Sequence, residues 1–179
     1  MKKELIIEIP KETNVKYEIE NGKLSVDRIL YGAAKYPMDY GFFENTLDWD
    51  GDALDGIMIA NSTFLPTAVV PVRVIGAMKM IDGGETDTKL ITVIEVDPRY
   101  DHIVDMKDVP EPILKELKDF FENYKNLQNK KVIVEGFEGI EYAKQQLADT
   151  EKLYAEYKDM KKEDFLKLMK EKYPDKYPS

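Results

Sequence analysis

Val15-Lys16-Tyr17-Glu18-Ile19-Glu20-Asn21-Gly22 alternates apolar and charged side chains until it meets a turn dipeptide. A period of two belongs to a β-strand with one buried face, and Asn-Gly favours the positive φ angles of a tight hairpin. The stretch therefore reads as a strand over 14–20 that folds back into a second over 23–30. Further strand-like runs lie at 4–9, 56–61, 68–80, 89–96 and 131–137. Pro71, inside the 68–80 run, marks an edge or a bulge, because proline has no N–H for a ladder. Helical periodicity comes late. Pro110 and Pro112 open a segment in which Ile113, Leu117, Phe120, Phe121 and Tyr124 share one stripe. A second helix is expected from about Glu138 to Tyr157. A third, short and charged, lies near 162–172 and stops at Pro174 and Pro178. Strands first and helices after predict an α+β fold: a small OB-like antiparallel β-barrel, two main helices packed against it, and an extra C-terminal helical tail. No repeat, low-complexity tract or linker divides the chain. Residues 1–148 are expected to form the barrel with its helices, and 149–179 a helical extension of the same domain.

The 179 residues, 43% of them hydrophobic, suffice for one domain with a real core. Acids number 35 against 26 Lys and Arg, a net charge of −9. That balance argues against nucleic acid as a partner, since phosphate contacts need clustered cations. There is no Cys, which excludes disulfides, thiolate metal sites and a Cys nucleophile. The single His, His102, excludes zinc sites built on two imidazoles; it reads as structural. No apolar run approaches the ~20 residues of a membrane span. Glu4 and Glu8 interrupt the N-terminal stretch that a signal peptide would keep apolar. The expected location is the cytoplasm.

The charge is uneven. From Asp149 to the C-terminus eight acids balance eight bases, so the first 148 residues carry the whole excess. Within them, Tyr36 to Val72 holds Asp39, Glu44, Asp48, Asp50, Asp52 and Asp55 but no Lys or Arg. A solvated loop is the ordinary explanation of such a run. Here the acids are interleaved with Tyr, Phe, Trp, Gly and Pro, and partly buried carboxylates need a counter-charge such as a divalent cation. Asp50-Gly51-Asp52-Ala53-Leu54-Asp55 is the sharpest feature. It fails as an EF-hand, which would put an oxygen ligand at Leu54, Gly at Asp55 and Glu at Asn61. A second acidic turn, Asp82-Gly83-Gly84-Glu85-Thr86-Asp87-Thr88-Lys89, has two glycines to bring Asp82 near Asp87, with Lys89 on the face of Asp87. Carboxylates without His or Cys form a hard-oxygen set suited to Mg²⁺ or Mn²⁺. Mg²⁺ often shares its shell with phosphate, and phosphate chemistry also wants cations; Lys16, Arg28, Lys89 and Lys125 are available. Trp49 reads as packing against the Asp50 loop, and the methionines as core filler. Tyr124 ends the apolar stripe and fits core or site.

In these residues the chain resembles the soluble inorganic pyrophosphatases of the single-domain barrel class. The likeness runs from about Leu5 to Leu147. It is carried by Ile7-Glu8-Ile9-Pro10, Lys16-Tyr17-Glu18, Val26-Asp27-Arg28, Tyr36-Pro37 to Tyr40-Gly41, and Asp50-Gly51-Asp52 with Asp55. Lys79-Met80 to Asp82, Asp87-Thr88-Lys89, Asp101-His102-Ile103 and Phe120-Phe121-Glu122-Asn123-Tyr124-Lys125 complete it. The resemblance implies Mg²⁺-dependent hydrolysis of inorganic pyrophosphate to two orthophosphates, with several ions per site and Mn²⁺ as a substitute. Asp50, Asp55, Asp82 and Asp87 would hold metal, and Asp52 would be the general base toward a metal-activated water. Lys16, Arg28, Tyr40, Lys89, Tyr124 and Lys125 would bind substrate. Glu8 and Glu18 would act from the outer shell, and Tyr36 would line the site. It also implies a homo-oligomer, a hexamer in prokaryotic relatives, with no membrane or nucleic-acid partner. Two features depart from the family pattern. Ala53 stands where proline is usual, and about 25 residues follow the second helix, to pack at a subunit interface or cover the barrel. A different function class, a catalytically silent OB-like binding module, is disfavoured by the net charge and the intact carboxylate set. Hydrolysis of nucleoside triphosphates is disfavoured by the lack of a Gly-rich phosphate loop.

One register question bears on the site. If Asn21-Gly22 forms a two-residue turn, Glu20 pairs with Lys23 and Arg28 faces away from Lys16 and Glu18. A three-residue turn with a bulge would pair Ile19 with Lys23 and put Lys16, Glu18 and Arg28 on one face. A common phosphate site favours the bulged turn.

Overall fold

The computed structural model describes residues 1–20 and 22–178. Among these described residues nine strands precede or interleave with three α-helices: β1 (Lys2–Ile9), β2 (Val15–Glu20), β3 (Lys23–Ile29), β4 (Asp39–Phe42), β5 (Asp55–Ile59), β6 (Val69–Asp82), β7 (Glu85–Thr86), β8 (Lys89–Ile94), α1 (Glu111–Asn123), β9 (Val132–Gly139), α2 (Ile140–Tyr157) and α3 (Lys162–Lys172). Strands β1, β4, β5, β8 and β6 close a ring, because β6 pairs β8 on one side and returns to β1 on the other. The OB-like α+β barrel expected from the sequence is thus present. One of its seams is parallel rather than antiparallel: β5 runs alongside β8 with Asp55 opposite Lys89. β6 is long enough, at 14 residues, to pair with β1, then β8, then β9 along its length, and with β7 at its end. At Pro71 β6 pairs only with β1, the β8 ladder beginning at Val72, so the edge reading fits; the register shifts lie farther on, between Val74 and Gly76 and between Lys79 and Met80.

The barrel interior and the faces of α1 and α2 form one core that includes Leu5, Ile7, Ile57, Met78, Leu90, Ile91, Phe121 and Leu147. Every residue of β8 is buried, Lys89 among them, as expected for a strand covered on both faces. A second, smaller cluster unites Trp49, Leu153, Tyr157, Phe165 and Met169, with Leu166 and Tyr177 against it. α2 links the two: Ala143 and Leu147 belong to the first, Leu153 and Tyr157 to the second. The tail therefore packs against the segment that carries Asp50. No helix among the described residues is long and apolar enough to cross a membrane.

The β2–β3 hairpin corrects the expected register. Asn21 lies outside the described residues, but Glu20 pairs with Lys23, so the bulge is not at the turn. It sits at the far end, where Lys16 pairs with Arg28 and Tyr17 with Val26, leaving Asp27 as the extra residue. That residue restores the parity: Lys16, Glu18 and Arg28 share a face after all.

Candidate active site

One cavity of about 500 Å³ is lined by Glu8, Lys16, Glu18, Arg28, Tyr36, Tyr40, Asp50, Asp52, Asp55, Asp82, Asp87, Lys89, Tyr124 and Lys125. Every site residue expected from the sequence is in that set. Ile19, Phe42, Ala53, Phe121 and Lys162 complete the wall.

Topology explains the convergence. The parallel β5–β8 register sets Asp55 beside Lys89 at the strand starts, and the Lys89 Nζ donates to Asp55 Oδ2 at 2.7 Å and Asp87 Oδ1 at 2.7 Å. Tyr40, on neighbouring β4, donates its hydroxyl to the same Asp55 oxygen. The hairpin of β6 and β7 carries Asp82 at its mouth, turning through Gly83 and Gly84, both at positive φ. The C-terminal end of α1 delivers Tyr124 and Lys125 to Asp82: the phenol donates at 3.3 Å and the ammonium pairs with the same oxygen. On the hairpin, Lys16 Nζ lies 2.6 Å from Glu18 Oε1 and 3.1 Å from Asp27 Oδ2. Glu8, from β1, accepts the Ile19 N–H at 2.9 Å and so ties the hairpin to the barrel.

The Asp50 segment is a tight loop. Asp48 donates its N–H to the Asp52 carbonyl at 2.7 Å, and Asp50 accepts the Asp52 N–H at 3.0 Å. Gly51, at φ +82°, supplies the left-handed residue the turn needs. Of the pocket carboxylates in ion pairs, Asp52 is the most open, with 64% of its side chain exposed.

The electrostatics are those of a site crowded with acid. Burial, reinforced by Asp87, Asp52 and Asp55, pushes the Asp50 carboxyl up to about 8. Burial raises Asp55 too, against the opposing pull of Lys89. Glu8 rises to about 7, chiefly by burial, and Tyr36 to about 12 for the same reason. Lys89 is buried, which disfavours its charge, but Asp55 and Asp87 outweigh that and hold it well above the ordinary lysine range. Lys125 is lowered by burial that Asp82 only partly offsets. Among the described residues no three acidic side chains converge on one point; Lys89 and Lys125 stand between them. The donor set fits a hard divalent cation all the same. It is all oxygen, and burial together with the neighbouring Asp87 raises both Asp50 and Asp55, so that a cation there would favour their charged forms.

The model of the family described as inorganic pyrophosphatase matches residues 5–167. The chain belongs to the inorganic pyrophosphatase family. It is accordingly an enzyme, a hydrolase of a metal-dependent family. It is 51% identical over 179 residues to the inorganic pyrophosphatase of Malacoplasma penetrans, covering 99% of each chain. It is 52% identical to that of Ureaplasma parvum over the same length and coverage. The crystal structure of the inorganic pyrophosphatase from Thermus thermophilus superposes with a TM-score of 0.83 at 40% identity, covering 86% of this chain and 91% of that one.

At and around the cavity of this pyrophosphatase-family chain stand residues the sequence did not single out: Lys162 lines it, while Asp27 and Asp48 stand behind its wall. Asp27 pairs with Lys16 from the bulge, 3.1 Å away; only the unforeseen bulge position reveals it. Asp48 is buried, with Oδ1 lacking a hydrogen-bond partner among the described residues. It stood in the acidic run with nothing to mark it. Lys162 lies on α3, whose balanced charge gave no sign of an active-site role.

Proposed function

We propose that this pocket hydrolyses inorganic pyrophosphate to two orthophosphates, with Asp52 as general base and Mg²⁺ held by Asp50, Asp55, Asp82 and Asp87. The observation that carries the reading is the convergence of these carboxylates with Lys16, Arg28, Lys89 and Lys125 on one cavity. Divalent ions bound there would acidify the attacking water and offset the charge of the substrate oxygens; Mn²⁺ suits the same oxygen set.

The chain's own groups have separable tasks. Asp52 is open to solvent and anchored by its backbone in the Asp50 turn, so its carboxylate can reach the attacking water and take its proton. Lys16 is held above its ordinary pKa because Glu18 and Asp27 outweigh its burial, and it stays charged for a phosphate oxygen. Arg28 has a buried Nε without a partner among the described residues and only a 3.6 Å approach to Asp27, leaving donors for an anion. Tyr40, Lys89, Tyr124 and Lys125 line the same cavity, where they would hold pyrophosphate and then the departing phosphate. Glu8 and Glu18, at the hairpin side, would orient water. We also propose a homo-oligomer, supported by Leu24, Val26, Ile29 and Tyr31, exposed together around β3.

The test is phosphate release from pyrophosphate with and without Mg²⁺, in the unaltered protein and Asp52→Asn. Release that needs the metal and falls roughly 10²–10⁴-fold in the variant is expected. Folded protein that releases no phosphate with Mg²⁺ or Mn²⁺ would refute the assignment. Faster turnover of ATP than of pyrophosphate would refute the substrate.

A further inference from the structure

We propose that Lys162, from the C-terminal helix α3, is a further substrate-binding residue that supplies a fifth cation to the pyrophosphate pocket; the inference rests on the function proposed above.

Lys162 lines the same cavity as Lys16, Arg28, Lys89 and Lys125. Its Nζ donates to Asp52 Oδ2 at 2.6 Å, across 110 residues of sequence. An ion pair between half-exposed groups would ordinarily deserve little weight, but this one is built. The lysine stem lies over Gly51, with Cγ 2.9 Å and Cε 3.3 Å from where a Cβ there would stand. Any side chain at 51 would displace it. The helix behind it is anchored by Phe165 and Met169, buried against Trp49 next to Asp50. Two more contacts fasten the tail to the acidic turns. Lys170 pairs with Glu85 at 2.9 Å, and the Tyr177 hydroxyl donates to the Trp49 carbonyl at 2.5 Å. The ammonium is therefore aimed into the pocket by a rigid element.

Local helix chemistry does not account for it. Lys162 is the first residue of α3, where the macrodipole disfavours a cation; Glu163 and Asp164, next in the first turn, follow the rule it breaks. Such a local violation is expected where a residue serves something other than its own helix. The pocket supplies that purpose. Lys89 pairs with Asp55 and Asp87, Lys125 with Asp82, and Lys162 with Asp52. Each of these lysines rests on a carboxylate that the reaction would engage otherwise. When Asp52 turns to the attacking water, the Lys162 ammonium is left beside the substrate phosphate with a free charge and three donors.

The experiment compares Lys162→Met, which keeps most of the stem without the charge, and Lys162→Arg. Calorimetry measures the binding of imidodiphosphate, a pyrophosphate analogue with a nitrogen bridge, in the presence of Mg²⁺. Mg²⁺ binding to the substrate-free protein is titrated separately, and Trp49 fluorescence reports whether the tail stays docked. Expected for Lys162→Met is a roughly fivefold weaker analogue Kd and a similar rise in KM with kcat nearly kept. Mg²⁺ affinity and Trp49 emission stay as in the unaltered protein, and Lys162→Arg recovers most of the loss. Unchanged analogue binding in Lys162→Met overturns the proposal, as does a shifted Trp49 emission, which would make Lys162 a strut for the tail. Failure of the unaltered protein to bind the analogue overturns the function proposed for the pocket, and this inference with it.

Discussion

Phe165→Ala tests whether the tail is part of the folded unit. Phe165 is 1% exposed, and its ring lies 5.8 Å from that of Tyr157 within the cluster that holds Trp49, Leu153 and Met169. Truncating a ring so enclosed removes its transfer free energy and leaves a cavity, together about 3–5 kcal/mol. Because α2 runs through both clusters, that loss reaches the barrel. For a chain of this size it corresponds to a fall of roughly 6–20 °C in Tm. Trp49 is the only tryptophan, and it is 4% exposed. Its ring stands 5.2 Å from that of Tyr173, a tail residue, so detachment of the tail wets it. The expected result is a red shift in emission that coincides with the loss of far-ultraviolet circular dichroism, both midpoints being lowered as above. Phe165→Leu, which refills most of the space, should give less than half the loss. Emission identical to that of the unaltered protein, with Tm within about 2 °C, would refute the packing argument.

Glu8→Gln is expected to stabilise the metal-free protein at pH 8 and leave it nearly unchanged at pH 4. Burial raises the Glu8 carboxyl from 4.5 to about 7, so the folded state holds a proton that the unfolded state releases, and stability falls as pH rises through that window. The full shift would be worth about 3 kcal/mol; residual solvent contact reduces the gain expected from the variant to ~1–2 kcal/mol, or roughly 2–8 °C in Tm. A variant with the same Tm-versus-pH curve as the unaltered protein would sink the assignment. If the apolar groups around β3 mediate assembly, sedimentation velocity should give a species heavier than the 20.7 kDa chain, and Val26→Glu should shift it toward monomer; a monomer at micromolar concentration would refute the oligomer.

The site was legible because its chemistry lies in short runs, Asp50 to Asp55 and Asp82 to Lys89, in which each turn brings its own acids together. The strands rich in β-branched residues were legible for the same reason. What escaped was non-local. β4 spans only Asp39–Phe42, with Gly41 inside it and three of its four residues buried, so it shows neither length nor alternation. The parallel seam of β5 and β8 joins segments about 30 residues apart, and no period within either strand records its partner's direction. The hairpin bulge was inferred correctly as a need and placed at the wrong end. Alternation fixes which faces must agree; it does not say which residue absorbs the extra step. Lys162 reaches Asp52 only through the packing of a second cluster, and a lysine-rich amphipathic segment looks the same whether it covers a barrel or enters its site.

An anionic chain that handles an anionic substrate needs its charges arranged in sequence. Without metal, the carboxylates expected to hold ions are already neutralised in part by Lys89 and Lys125, and Asp52 by Lys162. Burying so many acids without such partners would cost far more than the fold could bear. On the proposed reading, Lys89 and Lys125 would be freed from carboxylates that held ions, and their ammonium groups would then face phosphate. Metal and substrate would therefore favour each other's binding through the same lysines, by an amount that must be equal in both directions. The tail stands beside this linkage: it carries Lys162, paired with Asp52, and also buries Trp49, the residue next to Asp50. Its role is then neither a cover for the barrel alone nor a passive extension: it fixes the loop that holds Asp50 and lends that loop a cation.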